Sequence, residues 1–352
     1  MSTFQVGLVG YGLGGQVFHA PLIQSVQGLT LKTIRATNPR DVQLAGQALP
    51  GVRIVDDTAA IIHDPAIDLV VVTAANTFHF PIAKAALLAG KHVVVDKPFT
   101  ITAAEADELI VLAKHTGRIL TVFHNRRLVS DFLTVKKVIE SGKLGPIVET
   151  EIHYDRFRNF LRTSWKEKDE PGCGILYDLG SHLIDQSLCL YGLPRAITAD
   201  LRKQRTGSQS VDHFDLRLDY DNHKVLLKSG MLVKIPGPTY MIHGQQGSFV
   251  KFGMDVQEAA LRAGSLPNAT PNWGEEPASQ WGQLSVMDGD TEINETIKSE
   301  IGDQRRYYAN VRDAMLGKAT PDVLPEEARN VIRLIEWAEQ SHREKRTLEL
   351  MW

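Results

Sequence analysis

The sequence has little of what marks the specialised classes of protein. Its 352 residues include only two cysteines, Cys173 and Cys189, which form neither a CxxC pair nor a cluster with histidine. A disulfide framework and a metal site are therefore not expected. No apolar run is long enough to cross a bilayer, and the N-terminal residues lack the basic start of a leader peptide. The formal net charge of −3 gives no basic surface for nucleic acid. We expect a cytoplasmic protein whose partner is a small molecule rather than nucleic acid or a membrane.

What the sequence has instead is a regular alternation of strand-like and helix-like segments. In the first third, short apolar runs predict strands of a parallel sheet at residues 4–9, 29–36, 67–73, 92–95 and 119–123. After residue 124, period-two alternation predicts a mostly antiparallel open sheet, with strands at 147–157, 197–204, 213–220, 224–233, 239–243 and 248–252. Residues 266–282 are predicted to form an extended surface loop. The fold class is α/β, with an N-terminal Rossmann-type domain over residues 1–123 and an α+β domain over residues 124–352.

A glycine motif follows the first predicted strand. Gly10, Gly12 and Gly15 fit the pattern G-x-G-x-x-G, and a helix-like segment comes next. In that context the glycines permit a tight turn, close approach of a pyrophosphate and close packing of helix on strand. A plain strand-to-helix turn is the alternative, but the position of the motif favours dinucleotide binding.

The end of the second predicted strand bears on the choice of cofactor. NAD sites place an acidic residue there for the ribose hydroxyls, whereas this chain has Thr37, Asn38 and Arg40 and no acid before Asp41. A guanidinium without a competing carboxylate suits a 2′-phosphate. We expect NADP, with NAD possible if Arg40 is only a solvated surface charge.

Polar residues also follow the later strands of the parallel sheet. Ligands in open α/β sheets bind at the carboxyl ends of the strands, where Lys97 could place an ammonium beside a reacting oxygen. The predicted cofactor contacts lie in the glycine turn, at these strand ends and just after residue 123: Gly10, Gly12, Leu13, Gly15, Thr37, Asn38, Arg40, Thr73, Ala74, Asn76, His79, Asp96, Lys97, Asn125 and Arg126.

The centre of the chain contains a second chemical motif. In a helix, Asp178, His182 and Asp185 share one face, and we expect this acid–base stripe to look into a cleft. An imidazole near a carboxylate is suited to proton transfer. Alone, the pattern would more often be a surface ion pair; together with a nucleotide motif it predicts an acid–base group for a redox enzyme.

These motifs together give the chain a resemblance to the Gfo/Idh/MocA oxidoreductases. The likeness runs from the glycine motif through the lysine–proline strand end and the Asp-x-x-x-His helix to the β-rich second domain. The segments HNRR (124–127), YDLGSHLIDQ (177–186) and KRTLEL (345–350) resemble the NADP-dependent scyllo-inositol dehydrogenases of that family most. The resemblance implies hydride transfer between a nicotinamide and a secondary alcohol or ketone of a cyclitol or sugar.

The resemblance also implies roles for individual residues. Lys97, Asp178 and His182 match the family's catalytic positions, with His182 as the acid–base group and the other two contacting substrate. Further substrate contacts are expected on the second sheet and the loop before the central helix, at Tyr154, Arg156 and Trp165. The chain departs from the family pattern in carrying Asp96 before the lysine, where glutamate is usual, and Ala74-Ala75 where Thr-Pro is frequent.

Two other functions fit the same resemblance. Some relatives use transient oxidation to cleave glycosides, and others are nucleotide-sensing regulators without catalysis. The joint presence of Lys97, Asp178 and His182 speaks against a regulator, because a sensor needs none of the three. The resemblance further implies a homodimer or homotetramer assembled through the C-terminal sheet.

Overall fold

The computed structural model describes residues 3–352 and divides the chain into two compact units. The first unit contains the chain up to Asn125 together with residues 257–273 and 303–330. The second contains residues 126–256, 274–302 and 331–352. The sequence predicts one boundary after residue 123, whereas residues 257–273 and 303–330 belong to the first unit although they come after that boundary.

A parallel sheet of six strands forms the centre of the first unit. The strands run in the spatial order β3-β2-β1-β4-β5-β6, which is the doubly wound order of dinucleotide-binding folds. This confirms the predicted Rossmann architecture. The apolar runs form strands because both faces of the sheet are covered by helices, as in β4, where all four residues are buried. The strands are β1 (Phe4–Val9), β2 (Leu29–Arg35), β3 (Arg53–Val55), β4 (Leu69–Val72), β5 (His92–Asp96) and β6 (Leu120–Phe123).

Five helices follow these strands, and capping residues define both ends of the longest one. The longest, α5, starts with a capping box. The hydroxyl of Thr102 accepts from the backbone N–H of Glu105, and the carboxylate of Glu105 accepts from the backbone N–H of Thr102. The helix ends at Gly117, which has a left-handed conformation. The helices of this part are α1 (Ala20–Gln24), α2 (Pro39–Ala48), α3 (Ala59–Ile62), α4 (His79–Leu88) and α5 (Ala103–Thr116).

A sheet of nine strands dominates the second unit. Its order is β14-β13-β12-β11-β7-β10-β9-β8-β15, and every neighbouring pair is antiparallel except β7 and β10. The predicted open, mostly antiparallel sheet is therefore confirmed. The strands are β7 (Ile147–His153), β8 (Ala196–Arg202), β9 (His213–Asp219), β10 (Lys224–Gly230), β11 (Tyr240–Gly244), β12 (Gly247–Lys251), β13 (Gly282–Asp288), β14 (Thr291–Ile297) and β15 (Leu348–Glu349).

Several elements were not predicted from the sequence. The hairpin of β13 and β14 is the largest, and no residue of β14 is buried, so its sequence carries no apolar alternation. The short β3 and the helix α2 were missed for the same reason, since α2 buries only Ala45. The predicted loop at 266–282 contains a short 3₁₀ turn, Ala278–Gln280, and β13 begins at Gly282. It is not wholly a surface loop, because Trp273 and Glu276 are buried.

The remaining helices are α6 (Ser130–Glu140), α7 (Ser181–Tyr191), α8 (Val256–Arg262), α9 (Arg305–Met315) and α10 (Pro325–Glu344). None of the helices in residues 3–352 combines the length and the apolar character that crossing a bilayer would require. Assembly of copies through the nine-stranded sheet stays a prediction, which light scattering would test.

Candidate active site

The glycine turn after β1 is shaped by close backbone contacts. Gly10 has φ +110°, and a Cβ there would lie 2.8 Å from the carbonyl oxygen of Thr73. A Cβ at Gly15 would lie 2.5 Å from the carbonyl oxygen of Gly10. A Cβ at Gly12, by contrast, would meet no atom within 4 Å. The first and third glycines are therefore required by packing, and the second leaves backbone open to an approaching group, which fits the pyrophosphate of a dinucleotide.

The end of β2 presents polar side chains to solvent. Thr37, Asn38 and Arg40 are exposed, and Asn38 caps α2 by accepting a hydrogen bond from the backbone N–H of Arg40 at 2.9 Å. The nearest acid along the chain, Asp41, accepts from the side chain of Gln16 at 3.0 Å. Along the chain, no carboxylate follows β2 before Asp41; across the sheet, Asp56 follows the neighbouring β3, and its carbonyl oxygen accepts from Arg35 Nε at 3.1 Å.

The side chain of His79 contacts the backbone after β4 and the backbone after β5, which are neighbouring strands. Its Nδ1 lies 2.8 Å from the carbonyl oxygen of Pro98, and its Nε2 lies 3.1 Å from that of Ala74. Burial lowers the pKa of His79, although the charge of Asp96 opposes this. The ring thus braces the turn after β4 against the turn that carries Lys97, whose own N–H donates to Asp96 Oδ1 at 2.8 Å.

A buried histidine that the sequence analysis did not single out lies beside Asp96. His19 follows the glycine turn in a π-helical segment, Gly14–His19, and its Nε2 is 3.6 Å from Asp96 Oδ2. Its Nδ1 contacts the hydroxyl of Tyr308 at 2.5 Å. Burial would raise the pKa of Asp96, but the nearby imidazole of His19, together with the charge of Lys97, outweighs it and lowers that pKa to about 2. The only sequence signal for His19 is its place one turn after the glycine motif.

The predicted acid–base helix is not a single regular helix. Residues Leu176–Gly180 form a π-helical turn and α7 continues from Ser181, so Asp178 and His182 belong to consecutive turns of different pitch. The side chain of Asp178 is partly exposed, and His182 is buried. The expectation that Asp185 would look into the same cleft was wrong. Asp185 is buried in a two-pronged ion pair with Arg127, with contacts of 2.6 and 2.9 Å.

A hydrogen-bonded set of buried groups lies next to His182. The rings of Tyr154 and His182 have centroids 6.4 Å apart. Tyr154 and Tyr240 both donate to Oε1 of Gln186, at 3.2 and 3.0 Å, and Gln186 donates to the carbonyl oxygen of Arg126 at 3.2 Å. Tyr154 is therefore buried and held by Gln186 beside His182, and its role as a substrate contact stays a prediction.

The other predicted substrate residues lie on the segment that leads to the π-helical turn. Arg156 donates to the carbonyl oxygen of Asp155 at 2.8 Å. The ammonium of Lys166 lies 5.7 Å from the ring centre of Trp165 and donates to Asp178 Oδ1 at 2.7 Å. This lysine, which the sequence analysis did not consider, is the partner that the structure gives to Asp178.

Comparison with known protein families identifies the chain. Residues 4–124 match the NAD-binding Rossmann fold of the oxidoreductase family GFO_IDH_MocA. Residues 136–350 match the C-terminal alpha/beta domain of the same family. The chain belongs to the Gfo/Idh/MocA oxidoreductases. It is therefore an NAD(P)-dependent oxidoreductase, and its first sheet is the nucleotide-binding one.

Individual members of the family resemble this chain over its whole length. The uncharacterized oxidoreductase YdgJ of Escherichia coli is 43% identical over 347 residues, which is 98% of each chain. The scyllo-inositol 2-dehydrogenase (NADP(+)) IolW of Bacillus subtilis is 41% identical, over 99% of this chain and 97% of that one. The structure of yvaA from Bacillus subtilis superposes with a TM-score of 0.95 at 40% identity and covers 99% of both chains.

In this Gfo/Idh/MocA chain, the two predicted cofactor contacts after β6 have different surroundings. Asn125 donates to the side chain of Gln304 at 3.2 Å within the first unit. Arg126 is buried in the second unit, with Nη1 3.6 Å from Asp255 Oδ2. Both roles stay predictions, as do the other assigned cofactor and substrate contacts. Among residues 3–352 there is no group of three or more metal-ligating side chains placed to hold an ion.

Proposed function

We propose that this oxidoreductase is an NADP-dependent dehydrogenase that acts on a secondary alcohol of a cyclitol or sugar. An inositol and its inosose are the first pair to test, because the 41% identical IolW is named a scyllo-inositol 2-dehydrogenase. The observation that carries the proposal is the position of the buried His182 one turn after the partly exposed Asp178, since an imidazole there supplies the proton chemistry that alcohol oxidation needs.

The choice of NADP is supported by the end of β2. Arg40 is exposed there beside Thr37, and no carboxylate follows the strand directly. A guanidinium and a hydroxyl suit a 2′-phosphate, whereas the acidic residue that binds the ribose hydroxyls of NAD is missing.

The residues of the chain would divide the reaction as follows. Bound NADP supplies the nicotinamide ring that exchanges a hydride with the carbinol carbon. His182 takes the hydroxyl proton during oxidation and returns it during reduction. Asp178 binds substrate one turn before the imidazole, and Lys97 stabilises the negative charge that develops on the oxygen. General acid–base catalysis of this kind contributes roughly 10²–10⁴ in rate.

A substrate panel and one variant test the proposal together. Inositols, inososes and aldoses are assayed with NADP and NAD in parallel, and we expect turnover of at least one polyol with NADP. The variant His182→Ala should lower kcat by about 10²–10⁴ and leave the Kd for NADPH unchanged, because the imidazole acts on the proton and not on the cofactor. His115→Ala, at an exposed position of α5, is the control. Full activity of the His182 variant would remove the assignment.

A further inference from the structure

A small pocket opens beside Asp178 in the second unit. Its volume is about 50 Å³, several times the roughly 10–15 Å³ that one water needs. Charged side chains supply much of its wall, four of them cationic and two acidic. They are Arg158, Arg162, Lys166, Arg205, Glu167 and Asp178.

Two of the four cations already have acidic partners. Lys166 donates to Asp178 at 2.7 Å. Arg205 is buried and binds Glu167 at 2.7 Å and Asp212 at 3.0 Å. The two acids of the pocket wall are therefore each held by a cation, and Arg205 is fixed by a second carboxylate outside the wall.

Arg158 and Arg162 are left without a carboxylate within ion-pair distance in residues 3–352. Arg158 is only partly exposed. Burial lowers the pKa of its guanidinium, and the neighbouring charges of Arg162, Arg156 and Arg205 lower it further, against the charge of Glu167. Guanidinium groups that crowd one another in a pocket are relieved by an anion, which they can bind through paired hydrogen bonds.

We infer that Arg158 and Arg162 form a subsite for an anionic group, a carboxylate or a phosphate monoester, on the polyol substrate. The pocket shares Asp178 with the acid–base turn, so the anion belongs to the molecule that Asp178 contacts. The placing of this anion on a polyol substrate rests on the proposed function, whereas the binding of an anion by the two arginines does not. It predicts that acidic sugars are preferred to their neutral counterparts.

Binding of two probes tests the subsite directly. Inorganic phosphate and glucuronate are titrated by calorimetry into the protein saturated with NADP, at constant ionic strength in chloride, so that the glycine turn is already occupied. Arg158→Ala and Arg162→Ala should each weaken binding about 10–100-fold, since each removes charge-assisted hydrogen bonds. Arg158→Lys keeps the charge but loses the paired geometry, so its affinity for the probes should lie between those of the wild type and of Arg158→Ala. Arg202→Ala is the matched control, because Arg202 is exposed and paired with Asp200.

Kinetics provide the second measurement. If glucuronate and glucose are both oxidised, the arginine variants should raise KM for glucuronate about 10–100-fold and leave that for glucose unchanged. If a variant with both Arg158→Ala and Arg162→Ala bound both probes as tightly as the wild type, the subsite would be overturned, whether or not the enzyme oxidised either sugar. Arginine-dependent binding without oxidation of any polyol would support the subsite and contradict the proposed function. Turnover of neutral polyols without arginine-dependent binding of the probes would support the proposed function and contradict the subsite.

Discussion

Replacing Asp131 by asparagine should stabilise the protein more at pH 8 than at pH 5. The carboxyl group is completely buried in the first turn of α6, where Oδ1 accepts from the N–H of Phe132 at 3.0 Å. Burial raises the pKa of Asp131, the charges of Asp255 and Glu276 raise it further, and those of Arg126 and Lys251 only partly oppose this. The result is a pKa of about 7 against the ordinary value of 3.8.

The sign and the size of the effect follow from that difference. Between pH 3.8 and about 7 the folded protein keeps a proton that the unfolded chain has lost, so this group lowers the free energy of unfolding as the pH rises. At about 1.36 kcal/mol for each pKa unit, the loss is about 2 kcal/mol at pH 5 and about 4 kcal/mol above pH 8. Asparagine cannot ionise, so its contribution to stability does not change over this pH range. The variant should therefore gain about 2 kcal/mol more at pH 8 than at pH 5.

Urea denaturation at the two pH values measures this gain. The free energy of unfolding of Asp131→Asn is compared with that of the wild type, and Asp290→Asn, in the exposed turn between β13 and β14, is the control. A gain that is the same at both pH values, or a loss at pH 8, would refute the reasoning about the buried carboxyl.

Three further predictions concern the nucleotide turn, the choice of cofactor and the ion pair behind the acid–base helix. Gly12→Ala should fold normally but bind NADPH more weakly by fluorescence titration, because its Cβ points into open space; Gly10→Ala should lower Tm, because its Cβ would meet the backbone. Unchanged NADPH binding by the Gly12 variant would contradict a contact between the glycine turn and the pyrophosphate. Arg40→Ala should lower kcat/KM for NADP about 10–100-fold and leave that for NAD unchanged, and an equal fall for both would speak against a 2′-phosphate contact. Asp185→Asn should cost about 3–5 kcal/mol of stability in urea denaturation, since it removes the buried charge that holds the mostly covered guanidinium of Arg127; a cost under about 1 kcal/mol would show the pair to be dispensable.

The parts of the fold that the sequence predicted are those in which burial leaves a local pattern. The four-residue strand Leu69–Val72 is buried on both faces and therefore reads as an unbroken apolar run. Strand Thr291–Ile297 has no buried residue, and its polar sequence gave no sign of pairing with Gly282–Asp288. The strand ends were placed to within a few residues, because glycine, proline and polar clusters stop the apolar runs.

The sequence by itself determined which reactive groups the proposed site contains, because the glycine turn, Lys97, Asp178 and His182 stand in local motifs. Only the tertiary structure decided the partners of these groups. Asp185 meets Arg127 across 58 residues and His19 meets Tyr308 across 289, and the π-helical turn at Leu176–Gly180 changes which side chains share a face. Such contacts depend on how the elements pack, and the sequence does not distinguish a carboxylate exposed to solvent from a buried one that binds a guanidinium.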